Sequence, residues 1–541
     1  MSSIFAAKAV PADDKLRGGY YTPDPLARFV AGWVSAAGPR LLEPSCGDGA
    51  ILKHLALHGD AVGIELFPEE ARKARAAATD AKVVISDFFK WLTPARHEAF
   101  DGVAGNPPFI RFGSWEEQHR AMAFELMRAQ GMKPTRLTNA WLPFVVASLV
   151  AVRAGGRVGL VLPAELLQVS YAAELRAYLI DSCSNITVVS FSELVFPGIL
   201  QEVVLLLAVK GDGPATIRTV EVKNGSQLED VTLDGAAARA PLHESEKWTK
   251  YFLDAEQIDV LRAVRADTRL APLRTYAAVN VGVVTGRNSF FCLTADEAGS
   301  LGIADHTINL LSRSAQLTGT RYTEADLKAQ SAQGARTRLL AVPADLDLET
   351  YPALSHYVKL GEAEGVHLGY KCSIRTSWWS VPSISVPDGF MLRQVSTVLR
   401  LTSNKAEATS TDTVHRVFTK PGVSMDRLAV AAFNSITLAM SEIMGRSYGG
   451  GLLEIEPSEA TSLPVPDPRL VSPELIDAVD DLLRRGNTDE ALQLVDDAVL
   501  VEGAGFDHDE IARVHLASTR LRNRRLARGR KPVAGPSPVV T

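Results

Sequence analysis

The sequence predicts an α/β protein: a seven-stranded, doubly wound sheet domain, a second mixed α/β domain, and a short helical C-terminal region. Three observations lead there. Seven short apolar, β-rich runs alternate with helix-length segments through the first two hundred residues. The chain of 541 residues is longer than one hydrophobic core usually serves. After Pro466 the periodicity changes from strand-like to helical.

The strand candidates are RLLEP (40–44), AVGIEL (61–66), AKVVIS (81–86), FDGVAG (100–105), GRVGLVLP (156–163), ITVVSFS (186–192) and VVLLLAVK (203–210). Helix-length segments at 50–57, 68–78, 139–154 and 172–182 lie between them, so the strands are expected to be mostly parallel, with helices on both faces. From about 211 to 267 the pattern weakens into a polar, Ala- and Gly-rich connector. Short strands and Gly/Pro/Ser turns resume between about 270 and 466. SPELIDAVDDLLRRGNTDEALQLVDDAVL then opens on Ser472 as a helix cap. The expected boundaries are 1–240, 241–466 and 467–541, with a disordered end from Gly529.

With 46% hydrophobic and 22% charged residues, the composition is that of an ordinary soluble globular protein. AWLPFVVASLVAV (140–152) is too short to span a bilayer and is closed by Arg153, which predicts a buried helix and no membrane association. The N-terminus lacks the pattern of a secretory signal. Cys46, Cys183, Cys292 and Cys372 are scattered, which argues against a zinc site or a disulfide framework and fits a cytoplasmic location. The net charge of -6 hides an asymmetry, because eight Lys or Arg and no acid follow Ile511. Contact with a polyanion would therefore use local basic surfaces.

Chemistry concentrates where the strands end. In LLEPSCGDGAILKHL (41–55), a strand passes through a glycine turn into a helix, and Gly47 and Gly49 allow close approach to a ligand. Glu65 ends the next strand, where a carboxylate can accept both hydroxyls of a ribose. Asp87 follows the third, beside Phe88, where an acid can take a hydrogen bond from an adenine amino group. Either acid could equally be a helix cap or a solvated loop residue. G-x-G-x-x-G and Gly-Lys-Ser/Thr are both absent, so the site suits a nucleoside without polyphosphate, and S-adenosylmethionine is the candidate.

GVAGNPPFIRFG (102–113) ends the fourth strand. Pro107 and Pro108 can neither continue a helix nor donate to a sheet ladder, so the chain leaves the strand in a stiff, extended turn. The Asn106 side-chain oxygen and the Pro107 carbonyl then form two acceptors at fixed spacing, which is what an amine on an aromatic ring requires. With both N–H bonds engaged, the nitrogen moves toward sp³ and its lone pair leaves conjugation. Phe109 offers a stacking face, worth about 1 to 3 kcal/mol per base.

These motifs together resemble the gamma-class N6-adenine DNA methyltransferases, the TaqI-like modification methylases of restriction-modification systems. The resemblance runs from GGYYTPDPLARFV (18–30), through EPSCGDG with Glu43 and Ser45, Glu65, Asp87 with Phe88 and the 106–109 turn, to about Pro466. It implies a methyltransferase domain followed by a DNA target-recognition domain, with Tyr21 and Thr22 at the methionine end of S-adenosylmethionine. In ELVFPGILQEVVLLLAVKG (193–211), Phe196 is similar to the aromatic that stacks on the far face of an extruded base, against a plainer reading as turn packing. The segments at 281–291, 371–382, 410–417 and 445–466 look like parts of the recognition domain. Direct transfer to a flipped adenine is implied. It needs no cysteine, so Cys46 reads as a packing residue.

Three arginines are expected at DNA: Arg111, Arg287 and Arg375. Arg111 could instead pair with Glu116, and Trp378 and Trp379 read better as core than as DNA wedges. The basic run 520–531 is expected to add nonspecific affinity for duplex phosphate. Alternatives are methylation of cytosine N4, action on RNA or a protein amide, or dependence on a separate specificity chain. The expected partners are double-stranded DNA and a separately encoded restriction endonuclease, with the chain itself acting as a monomer.

Overall fold

The computed structural model describes residues 21–193, 195–196, 202–212, 215–233, 239, 247–448 and 451–527. The chain forms two compact units. One comprises Val10–Phe252 with Arg446–Leu452 and Asn523–Thr541; the other contains Leu253–Gly445 and Leu453–Arg522. The start of the N-terminal motif (18–20) and the tail beyond Ala527 lie outside the described residues.

The first unit is organised by one sheet. All seven expected strands form: β1 (Arg40–Glu43), β2 (Asp60–Glu65), β3 (Lys82–Ile85), β4 (Phe100–Gly105), β5 (Val152–Pro163), β6 (Cys183–Phe191) and β7 (Val203–Lys210). An eighth, β8 (Thr216–Val222), was not expected, and the order is β3-β2-β1-β4-β5-β7-β6-β8. β7 alone runs antiparallel to its neighbours β5 and β6. The supposed connector thus begins as an edge strand parallel to β6. Its sequence, TIRTVEV, buries only Ile217 and Val222, so it lacks the apolar run that marks the inner strands.

The inner strands carry runs of consecutive apolar residues, as in LVL of β5 and VVLLLA of β7, because both faces are covered. Leu42, Val103, Leu160, Leu206 and Val188 join one apolar cluster, whereas their neighbours Leu41, Ala104, Val161, Leu207 and Val189 join another. Helix α1 (Asp24–Ser35) contributes Leu26, Val30 and Val34 to the second cluster. Helices α2 (Glu117–Ala129), α3 (Trp141–Ala151) and α4 (Ala173–Ser182) contribute to the first. α3, the segment read as a buried helix, has all eleven residues buried. No helix among the described residues is long and apolar enough to cross a membrane.

In the second unit, a five-stranded sheet (277–280, 414–419, 389–392, 401–405, 321–323) and a four-stranded one (292–293, 338–340, 307–311, 409–410) carry short strands and turns, as expected. Phe290 stacks on Tyr357 at 4.6 Å, and Trp378 packs beside both Phe290 and Phe291, so Trp378 is core. Ser472 caps Pro473–Arg484 by accepting from Leu475 N.

That helix packs within the second unit. The Asp480 carboxylate accepts from Thr320 N (2.7 Å) and Arg321 N (3.0 Å), and Arg484 donates to Asp326 (2.8 Å). Such long-range polar pairings fuse the helical region to the sheets, and no local sequence pattern announces them. The 445–466 segment divides between the two units. Ser447 N donates to Gln168 Oε1 (2.8 Å), and Ser447 Oγ donates to Glu202 (3.1 Å), so Arg446–Leu452 belongs with the first unit.

Candidate active site

β3, β2, β1 and β4 lie side by side and parallel, so their carboxyl ends share one edge of the sheet. The strand order reverses at β1, which is where open α/β sheets leave a crevice for ligands. Glu43 ends β1, Glu65 ends β2, Asp87 follows β3 and Asn106 follows β4. The sheet therefore gathers four polar side chains that are up to 63 positions apart in sequence.

The loop after β1 is shaped by two glycines. Gly47 has φ +50, and a Cβ there would meet nothing within 4 Å, so an opening lies beside the backbone. Gly49 has φ +87, and a Cβ would come within 2.9 Å of the Ala74 Cα. Glu65 braces this loop: Oε2 accepts from Gly47 N and Oε1 from Phe67 N, both at 2.8 Å. Each oxygen retains acceptor capacity, so bracing the loop and meeting a diol are compatible.

Glu43 is 2% exposed, and its Oε2 has no hydrogen-bond partner among the described residues. Burial pushes its carboxyl well above the ordinary range, and the Asp48 and Glu65 charges push it further. Burial also raises Glu65 and Asp48. A cation with N–H donors would relieve both the missing hydrogen bond and the crowded negative charge. The sulfonium and ammonium groups of S-adenosylmethionine fit that demand. Burial pushes the Cys46 thiol far up, leaving it an uncharged packing group, 3% exposed.

The N-terminal motif reaches the β4 turn through Thr22, which is 8% exposed. Asn106 Nδ2 donates to Thr22 Oγ1 at 3.2 Å, an amide orientation that presents Oδ1 as the acceptor. Ser45 Oγ donates to the Asn106 carbonyl at 3.4 Å, so the β1 loop also holds this residue. Tyr21 is exposed instead, and its hydroxyl lies between Glu70 (3.2 Å) and Lys73 (3.3 Å). Beyond Pro107 and Pro108, Phe109 is half-buried against both apolar clusters, and Ile110 O accepts from Ala140 N (2.9 Å). Phe196 is 5% exposed and belongs to one of those clusters.

Asp87 caps the short helix Phe88–Trp91 through Oδ1, which accepts from Lys90 N at 3.1 Å. Its Oδ2 lies 2.6 Å from His119 Nδ1, a partner that sequence reasoning missed. Phe88 is 3% exposed, stacked on Phe144 at 5.6 Å within an aromatic core. The ring expected to lie beside a ligand is thus part of the core.

The expected DNA-contacting arginines differ. Arg111 is exposed, and Glu116 faces His119 rather than Arg111. Arg287 donates to the Glu364 carbonyl (3.3 Å). Arg375 donates to the carbonyls of Val284, Thr285 and Trp378, so its guanidinium shapes a loop. The described part of the basic run, 520–527, has Arg520, Arg524 and Arg525 committed within the fold, and 528–531 lie outside the described residues. Arg520 pairs with Asp254, Arg524 pairs with Glu221 and lies 3.3 Å from the Phe252 ring, and Arg525 donates to Gly451 O. Helix formation over His508–Ala527 brings Arg520 and Arg524 to acids, and Arg525 to a carbonyl, that are distant in sequence.

Comparison with known proteins agrees with this architecture. Residues 4–246 match the family model N-6 DNA Methylase, and residues 245–500 match the C-terminal domain of the type II methyltransferase M.Eco57I. The type II methyltransferase M.AccI of Acinetobacter calcoaceticus is 22% identical over 471 residues, 81% of this chain and 83% of its own. M.XamI of Xanthomonas campestris pv. amaranthicola is 25% identical over 472 residues, 83% and 85% of the two chains. The type IIL restriction-modification enzyme MmeI, solved in complex with DNA, shares the fold with a TM-score of 0.59 at 12% identity, covering 92% of this chain and 75% of that one. A match to an N6 methylase family over 4–246, followed by a type II methyltransferase C-terminal domain over 245–500, places this chain among the N6-adenine DNA methyltransferases of type II restriction-modification systems.

Proposed function

We propose that this chain is a gamma-class enzyme that methylates N6 of one adenine in a specific duplex sequence, with S-adenosylmethionine as methyl donor. When bound, that donor supplies an electrophilic sulfonium methyl. Glu43 meets its cationic end, Glu65 the ribose hydroxyls and Asp87 the adenine amino group, with Ser45, Gly47 and Gly49 shaping the loop around it. Thr22 fixes the Asn106 amide so that Oδ1 faces the target. Asn106 Oδ1 and the Pro107 carbonyl then accept the two N–H bonds of the flipped base, and the N6 lone pair turns out of the ring for in-line attack. Pro108 stiffens the turn, and Phe109 supplies one wall for the base, with Phe196 assigned to the opposite wall.

The second unit is assigned to sequence recognition, with Arg287 within it and Arg111 beside the catalytic turn as phosphate or base contacts. Arg375 is reassigned to holding the 284–287 loop. The chain acts as a monomer in the cytoplasm and protects host DNA from a separately encoded endonuclease.

The observation that carries this reading is the Asn106–Thr22 pair beside a carboxylate-lined glycine loop. It is tested by expressing the chain in a host without DNA methylation and sequencing the DNA by a method that detects N6-methyladenine. One short sequence should be modified throughout the genome, and Asn106→Ala should leave it unmodified. Absence of modified adenine, or activity in the Asn106→Ala variant, would overturn the reading.

A further inference from the structure

Asp87 is held from two sides. Lys90 N fixes Oδ1 at 3.1 Å, and His119 Nδ1 lies 2.6 Å from Oδ2. The two side chains are 18% (His119) and 10% (Asp87) exposed, so little water competes for this pair. The other imidazole nitrogen faces Glu116 Oε2 and Gln118 Nε2, each at 3.5 Å. Arg120, the next residue, donates to the carbonyls of Phe112 and Trp115, both at 3.1 Å, and its guanidinium lies 4.1 Å from the Phe112 ring. Adjacent residues of α2 therefore touch the acid after β3 and the segment that follows the catalytic turn.

We propose that His119 is a positioning residue that orients the Asp87 carboxylate toward the 6-amino group of the bound adenosyl moiety. This rests on the reading of Asp87 given above. A carboxylate oxygen accepts two hydrogen bonds. His119 takes one direction on Oδ2 and thereby sets the other, toward the ligand. With His119 removed, only Lys90 N restrains the carboxylate, and its second oxygen turns to water. The anchoring of α2 by Arg120 keeps the imidazole at a fixed height above the strand end.

The test compares binding of S-adenosylhomocysteine with that of S-inosylhomocysteine, which carries a 6-oxo group in place of the 6-amino group. Calorimetry is run on the wild type and on the Asp87→Asn, His119→Ala, His119→Asn and His119→Gln variants of the full chain. The wild type should favour the adenosyl ligand, and Asp87→Asn should abolish that preference. His119→Ala should reduce it about 10-fold, the scale of one charge-assisted hydrogen bond. His119→Asn places an amide nitrogen near the Nδ1 position and should restore most of the preference, whereas His119→Gln should not.

If Asp87→Asn abolishes the preference and His119→Ala leaves it intact, the proposal is wrong and the reading of Asp87 stands. If Asp87→Asn itself keeps the preference, that reading fails. If the alanine variant does not fold, equal preference in the asparagine and glutamine variants overturns the proposal.

Discussion

Thr22→Val tests whether the threonine hydroxyl sets the direction of the Asn106 amide, which is proposed to meet the target amine. Valine keeps the shape of threonine but removes the oxygen that accepts from Asn106 Nδ2 at 3.2 Å, at a position only 8% exposed. The amide is nearly symmetric in shape, so a half-turn exchanges Oδ1 and Nδ2 and offers the target amine a donor where it needs an acceptor. Losing that hydrogen bond costs the productive orientation about 1 to 1.5 kcal/mol, which shifts the balance between productive and turned amide about 5- to 13-fold. The single-turnover rate of methyl transfer at saturating cofactor should fall by that factor. Thr22→Ser, which keeps the hydroxyl, should remain within about 3-fold of wild type, less than one hydrogen bond is worth. A wild-type rate for Thr22→Val, or equal losses in the valine and serine variants, would refute the reasoning.

Three further outcomes follow from the same structure. Glu43→Gln should raise the melting temperature of the protein without cofactor, because a buried acid with an unsatisfied oxygen becomes neutral, and should weaken S-adenosylhomocysteine about 10-fold by calorimetry. Asp496, buried against Ser435, is pushed up to about 6 from 3.8, so the native state binds a proton that the unfolded chain releases. Its contribution to stability is therefore full below about pH 4 and falls by about 3 kcal/mol as pH rises to about 6. Asp496→Asn should flatten that part of the melting-temperature profile relative to wild type. Asp101 accepts from Arg40 N, Nε and Nη2 and from Arg153 Nε at 2.6 to 3.1 Å, and Asp101→Ala should cost about 2 to 3 kcal/mol in denaturant unfolding, less than a fully buried pair because both arginines are part-exposed.

The fold was most legible where local pattern and burial agree. Seven apolar strands read clearly because both faces of the sheet are covered, so every residue of VGLVLP or VVLLLA faces a core. β8 escaped because its polar residues look like a connector until it pairs with β6. The site was legible at strand ends, since topology alone brings Glu43, Glu65, Asp87 and Asn106 to one edge. His119 was not, because nothing local links it to an acid 32 residues earlier. The same limit explains Arg375 and the C-terminal arginines. A guanidinium in a Gly-rich or basic stretch reads as a DNA contact until the fold supplies carbonyls and carboxylates for it. Phe88 was correctly placed beside Asp87, but its ring is turned into the aromatic core.

The Asn106 turn is proposed to present an exocyclic amine of adenine in DNA to the methyl donor. The most direct test is to incubate the purified chain with unmethylated duplex DNA and isotopically labelled S-adenosylmethionine, digest to nucleosides, and identify the labelled product by mass spectrometry. Label should appear in N6-methyldeoxyadenosine and be absent with Asn106→Ala. Label in N4-methyldeoxycytidine, or no label in DNA from a folded, cofactor-binding protein, would contradict it.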